Sequence, residues 1–247
     1  MKKRIIIIMI CLSIITGCSS TSQLNIGKQS RQNFKKVITK SIDVDYLLYL
    51  PKEYKEENKK FPLMLFLHGA GERGDDLKKV TIHGPAKLIK QGKEFPFIIV
   101  SPQCPENQWW DIDALNVLLN DIVKRFNVNE DRIYLTGLSM GGYGTWALAL
   151  KYPHRFAAIA PICGAGNPVL ARTIKRLPTW VFHGANDQVV PIKHSQDMVD
   201  ALKEVGGNVK FTIYPEAGHD SWTETYNNPE LYEWFLKQSG KNNELTN

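Results

Sequence analysis

The 247 residues have ordinary apolar, charged, glycine and proline contents, which excludes a disordered chain and a polytopic membrane protein. A length of this order fits one domain whose core needs no covalent staples. The formal charge of +6 falls to +3 once Lys2, Lys3 and Arg4 are set aside with the leader described next, so the charge balance gives no argument for a nucleic-acid partner.

Residues 1–17 read as an export signal, because Lys2, Lys3 and Arg4 precede an apolar stretch, Ile5 to Ile15, that is too short to span a bilayer. Its end, Ile15-Thr16-Gly17-Cys18, resembles a bacterial lipobox, which predicts cleavage before Cys18 and acylation of that cysteine. Several acyl chains on Cys18 would hold the protein stably on a membrane, since one alone binds marginally. The expected location is the bacterial cell envelope, on the outer membrane or cell surface, facing periplasm or exterior. A plain secretory signal with a chance cysteine is the alternative. Residues 18–33, rich in Ser, Thr, Asn, Gln and Lys, have the composition of a tether. The catalytic domain is expected over 34–240, with a tail at 241–247.

Beyond the tether, apolar β-rich runs alternate with helical patterns. Val37 to Leu50 predicts a hairpin, Pro62 to Leu67 and Phe97 to Val100 buried strands, and Ala114 to Phe126 a helix with apolar positions at Leu115, Leu118, Leu119, Ile122 and Val123. Strands follow at Arg132 to Thr136, Ala157 to Pro161, Thr179 to His183 and Val209 to Tyr214, with helices at Gly142 to Tyr152, His194 to Val205 and Pro229 to Gln238. Short, continuously apolar strands separated by helices imply a doubly wound, mostly parallel α/β sheet with helices on both faces. Ligands in such a sheet bind beyond the carboxyl ends of the strands.

Those ends carry the unusual residues. Gly137-Leu138-Ser139-Met140-Gly141 follows one strand and opens a helix, the context in which G-x-S-x-G presents a serine nucleophile on a tight turn. A serine hydroxyl needs a base, and the base needs a group that fixes its tautomer. Asp187 follows the Thr179 strand and His219 follows the Val209 strand, giving the chain order Ser, Asp, His. Of the six histidines, only His219 follows the last strand in a Gly-preceded loop. His68 and His183 are expected to shape turns or line the pocket floor, and His154 and His194 to lie on the surface. Asp220 is the rival acid, but a neighbour of His219 in the chain points elsewhere. The N–H groups of Met140 and of Ala70, in His68-Gly69-Ala70-Gly71, are the expected oxyanion donors. Trp109, Trp222 and His83 are candidates for substrate contact, with packing as the alternative for each. The sequence shows no metal-ligand spacing, and the chemistry needs no cofactor.

The motifs LHGAGERG (67–74), SPQCPENQWW (101–110), DRIYLTGLSMGGYGTW (131–146), HGANDQVVP (183–191) and AGHDSW (217–222) resemble those of the α/β-hydrolase superfamily. The likeness is to its peptidase and esterase group related to polyhydroxybutyrate-depolymerase-like and carbohydrate esterase family 1 enzymes. It implies a triad of Ser139, Asp187 and His219, oxyanion donors at Met140 and Ala70, and a small-molecule or oligosaccharide ester, feruloyl or acetyl, as substrate. A peptidase or broad acyl hydrolase is the second reading, and an inactive binding protein on the same scaffold the third. In the superfamily's strand order, the strands before Cys104 and Cys163 are separated by two others, roughly 14 Å. That is too far for a disulfide, so both thiols are expected to be free.

Overall fold

The inner strands of the sheet can be traced to runs of buried apolar residues, and β2 shows how. In the computed structural model, which describes residues 29, 31–55 and 59–240, β2 (Phe61–Leu67, FPLMLFL) is buried at every position. Its side chains alternate between faces, as the pleat requires. Leu63, Leu65 and Leu67 enter one apolar cluster while Met64 and Phe66 enter the other.

The remaining elements follow in order. They are β1 (Tyr46–Tyr49), α1 (Gly84–Lys90), β3 (Ile98–Pro102), α2 (Ile112–Arg125), β4 (Val128–Leu138), α3 (Met140–Lys151) and β5 (Ala158–Ile162). Next come β6 (Thr179–Gly184), α4 (Lys193–Glu204), β7 (Val209–Tyr214), α5 (Trp222–Asn227) and α6 (Pro229–Leu236). The seven strands lie in the order β1-β3-β2-β4-β5-β6-β7, and only the β1–β3 pairing is antiparallel. Helices α2, α3 and α4 contribute Leu118, Trp146 and Met198 to the core on one face. On the other, α1 and α6 contribute Leu88 and Phe235. Among the described residues, no helix is long and apolar enough to cross a membrane.

The chain divides into two units, 1–41 and 42–247. The described residues of the first have no regular secondary structure and are exposed. The predicted signal, Cys18 and most of the tether lie outside the described residues, as does the tail.

The predicted hairpin over Val37 to Leu50 does not form. Only Tyr46–Tyr49 is a strand, and it pairs with Ile99 to Pro102 of β3. A distant sheet edge offers those four residues a buried partner, while Val37 and Ile38 remain exposed. Two short helices, α1 and α5, were not predicted from sequence. The α3 helix begins two residues earlier than its predicted start, and β4 extends four residues further upstream and two further downstream than expected.

Candidate active site

Central position in the sheet places Ser139 where neighbouring strands can supply partners. It leaves the end of β4, between β2 and β5, and takes φ 51° and ψ −116°, a left-handed backbone that a side-chain-bearing residue adopts only under constraint. Two hydrogen bonds impose it: Ser139 N–H donates to Ile162 O at 3.0 Å, and Tyr143 N–H donates to Ser139 O at 3.0 Å. The turn also needs bare backbone beside it. A Cβ on Gly141 would stand 1.9 Å from Leu67 O, and one on Gly137 would stand 2.4 Å from Gly141 O.

The loop after β7 carries His219 to this serine. His219 Nε2 lies 2.9 Å from Ser139 Oγ, and its Nδ1 lies 2.7 Å from Asp187 Oδ2. Because an ionised carboxylate only accepts, Nδ1 holds the proton and donates, which leaves Nε2 bare to receive the serine's. Burial pushes the Asp187 carboxyl up, but hydrogen bonds from His219, Val190 and Val189 outweigh it and hold the group below the usual range. Its Oδ1 accepts from Val189 N–H and Val190 N–H, each at 2.9 Å. The structure thus brings Ser139, His219 and Asp187 into one hydrogen-bonded chain. Asp220 is exposed and accepts instead from the N–H and hydroxyl of Thr223.

Two buried histidines frame the site without entering it. His68 Nε2 accepts from Cys104 N–H at 3.0 Å, so Nδ1 carries the proton and donates to Gly69 O at 2.6 Å. Burial lowers its pKa to about 4, so it is neutral, and its 3.9 Å approach to Glu72 is not an ion pair. Fixing Gly69 C=O also fixes Ala70 N–H, which points the opposite way across the same planar peptide. Ala70 and Met140 are the first residues of their helical turns, so neither N–H has an acceptor within its own turn. His183 Nε2 donates to Val190 O at 2.8 Å and lies 3.2 Å from Asp187 Oδ2, bracing the acid; burial lowers its pKa too. His154 and His194 are exposed.

Of the predicted substrate contacts, Trp222 and His83 touch each other, whereas Trp109 packs on Tyr143. Trp222 stands edge-to-face with His219 at 5.1 Å and with His83 at 5.3 Å, and its Nε1–H donates to His83 Nδ1 at 3.3 Å. The His83 Nε2 then faces Glu72 Oε1 at 3.7 Å. Trp109 meets Tyr143 edge-on at 5.7 Å. Sequence reasoning passed over Cys163, whose sulfur lies within 4.8 Å of the ligand atoms of both Asp187 and His219. Burial raises that thiol to about 12, and the Asp187 and His219 atoms are already bonded to each other, so the trio is poorly prepared for a metal ion. Its positive φ of 40° was the sort of feature no residue pattern reveals. Cys104 and Cys163 are free and buried, and their strands β3 and β5 are separated by β2 and β4.

Comparison with known proteins gives the same frame. Residues 112–228 match the family model described as Phospholipase/Carboxylesterase. The chain is 26% identical over 136 residues to a bifunctional acetylxylan esterase/xylanase of Neocallimastix patriciarum, covering 52% of this chain and 20% of that protein. It is 27% identical over 183 residues to a poly(3-hydroxyoctanoate) depolymerase of Pseudomonas fluorescens, covering 63% and 60%. A crystal structure of a thermostable esterase superposes with a TM-score of 0.71 at 36% identity, covering 79% of this chain and 59% of that one. In each case the chain spans less than two thirds of the relative's length. Strand order, helix placement and these likenesses together show that the chain has the α/β-hydrolase fold.

Proposed function

We propose that this protein is a serine hydrolase that cleaves carboxylic esters through an acyl-enzyme. Ser139 Oγ bonds to the ester carbonyl carbon while its proton passes to His219 Nε2, and Asp187 stabilises the imidazolium that results. The oxyanion accepts from the N–H groups of Met140 and Ala70, each worth roughly 3 to 4 kcal/mol in sites of this kind. Collapse breaks the C–O bond, and His219 returns the proton to the departing alcohol. Water then repeats the sequence, releasing the acid and the free serine. The observation that carries this reading is the continuous chain from Ser139 Oγ through His219 to Asp187, at 2.9 and 2.7 Å.

For substrate we propose a carbohydrate-linked acetyl or hydroxycinnamoyl ester. Support comes from the motifs shared with carbohydrate esterases and from the named acetylxylan esterase among the relatives. Wild-type protein should take a fluorophosphonate label that Ser139→Ala loses, and the same substitution should lower turnover of p-nitrophenyl acetate by up to about a million-fold. Absence of label on the wild type would leave an inactive scaffold. Faster cleavage of a dipeptide amide than of methyl ferulate or acetylated xylan fragments would replace the esterase with a peptidase.

We also propose export and lipid anchoring at Cys18, on the strength of the cationic start, the short apolar stretch and the Ile15-Thr16-Gly17-Cys18 sequence. Palmitate labelling in a bacterial host should mark the wild type and spare Cys18→Ser. Equal labelling of the two would remove the anchor.

A further inference from the structure

A groove of about 590 Å³ runs along α3, bounded by Trp109 and Trp110 from the connection after β3, by Ile112 at the start of α2 and by the 165–170 segment after β5. Its floor is the helix itself. Tyr143, Ala147 and Leu150 line it and lie four, eight and eleven residues after Ser139, so all share the helix face that begins at the nucleophile. At 1.5 Å per residue, Tyr143 stands about 6 Å, Ala147 about 12 Å and Leu150 about 17 Å along the axis from Ser139. Gly144 keeps the floor low: a Cβ there would meet Trp110 Cδ1 at 2.8 Å.

Few polar groups interrupt the walls. The Asn167 Oδ1 accepts from Val169 N–H, and Lys151, at the far end, is paired with Asp113 at 2.6 Å. The lip is apolar and open to water, with Trp109 63% and Leu170 42% exposed. A concave, mostly apolar cleft of this volume is the usual form of a small-ligand site. The occupant is set by direction. The departing alcohol oxygen must lie beside His219 Nε2, on the side where Trp222 and His83 stand. None of the groove's residues touches that histidine through a ring contact or hydrogen bond, so the groove receives the acyl side.

We infer that the groove is an acyl-binding site for an extended apolar acyl group, of octanoyl or hydroxycinnamoyl size, and that acetyl is too short to use it. The inference rests on the ester-hydrolase reading above and narrows it.

The wild-type full chain should turn over p-nitrophenyl octanoate with a kcat/KM at least ten-fold above that for p-nitrophenyl acetate, each buried methylene being worth about four-fold. Ala147→Phe, which adds bulk at an exposed helix position, should lower that octanoate-to-acetate ratio at least ten-fold, and Leu170→Ser, from the opposite wall, should lower it as well. A wild-type preference for acetate, or a ratio unmoved by both substitutions, would overturn the inference. Failure of the hydrolase reading would look different, as no turnover of either ester and no fluorophosphonate label. In that event, quenching of tryptophan fluorescence by sodium octanoate, lost in Ala147→Phe, would still support the groove, and no quenching would refute it.

Discussion

Behind the Ala70–Glu72 turn, the carboxyl of Glu72 is 6% exposed and its Oε2 finds no hydrogen-bond donor among the described residues. Burial raises its pKa, and the His83 imidazole and the amides of Gly69 and Glu72 counter that without winning. A carboxyl that holds its proton more tightly folded than unfolded makes stability fall as pH rises from the unfolded value, about 4.3, through the folded one. Glu72→Gln should therefore be more stable than wild type at pH 8, by roughly 1 kcal/mol for relief of a buried unpaired acceptor. The advantage should shrink as the pH is lowered toward 4. Melting temperatures across that range test it, and a variant destabilised equally at every pH would show that the carboxyl supports the oxyanion turn. Nothing in the motif HGAGERG marks this residue, since a glutamate in a polar loop is ordinarily solvated. By contrast, the hydrogen-bonded chain of Ser139, His219 and Asp187 was legible, because each residue stands past a readable strand and base-activated serine chemistry needs those three side-chain types.

At the level of elements, legibility tracked length and burial. Strands β2, β5 and β6 came within one residue of their predicted ends, since continuous apolar runs have few other uses, and β7 matched through its alternating Val209, Phe211 and Ile213. The α1 and α5 helices, at seven and six residues, are too short to show a 3.6-residue repeat, and α1 begins on Gly-Pro, which reads locally as a turn. The hairpin failed for a different reason. Local alternation over residues 37–50 is compatible with a strand, but the pairing partner was chosen by the edge of β3, some fifty residues away in sequence. The groove along α3 escaped notice because it is assembled from a helix and two separate connections. Trp109, Ala147 and Leu170 each resemble scattered surface or core residues until the fold sets them side by side.

Across the whole molecule, one sheet does two jobs: its interior strands exclude water and their carboxyl ends gather the reacting groups. Both cysteines of the described residues sit in that construction. Cys104 and Cys163 are 1% and 0% exposed, and burial raises their thiols to about 11 and about 12. An alkylating reagent needs thiolate and access, and the native protein denies it both. Iodoacetamide should leave these two positions untouched in the folded state and modify both after denaturation without any reductant, as read by peptide mass spectrometry. Fast native modification of Cys163 would mean that the cleft opens locally. Otherwise the two sulfurs form an internal clock. Because they lie under strands on opposite sides of β2 and β4, the moment at which each becomes reactive reports how often that half of the molecule comes apart, with no added probe.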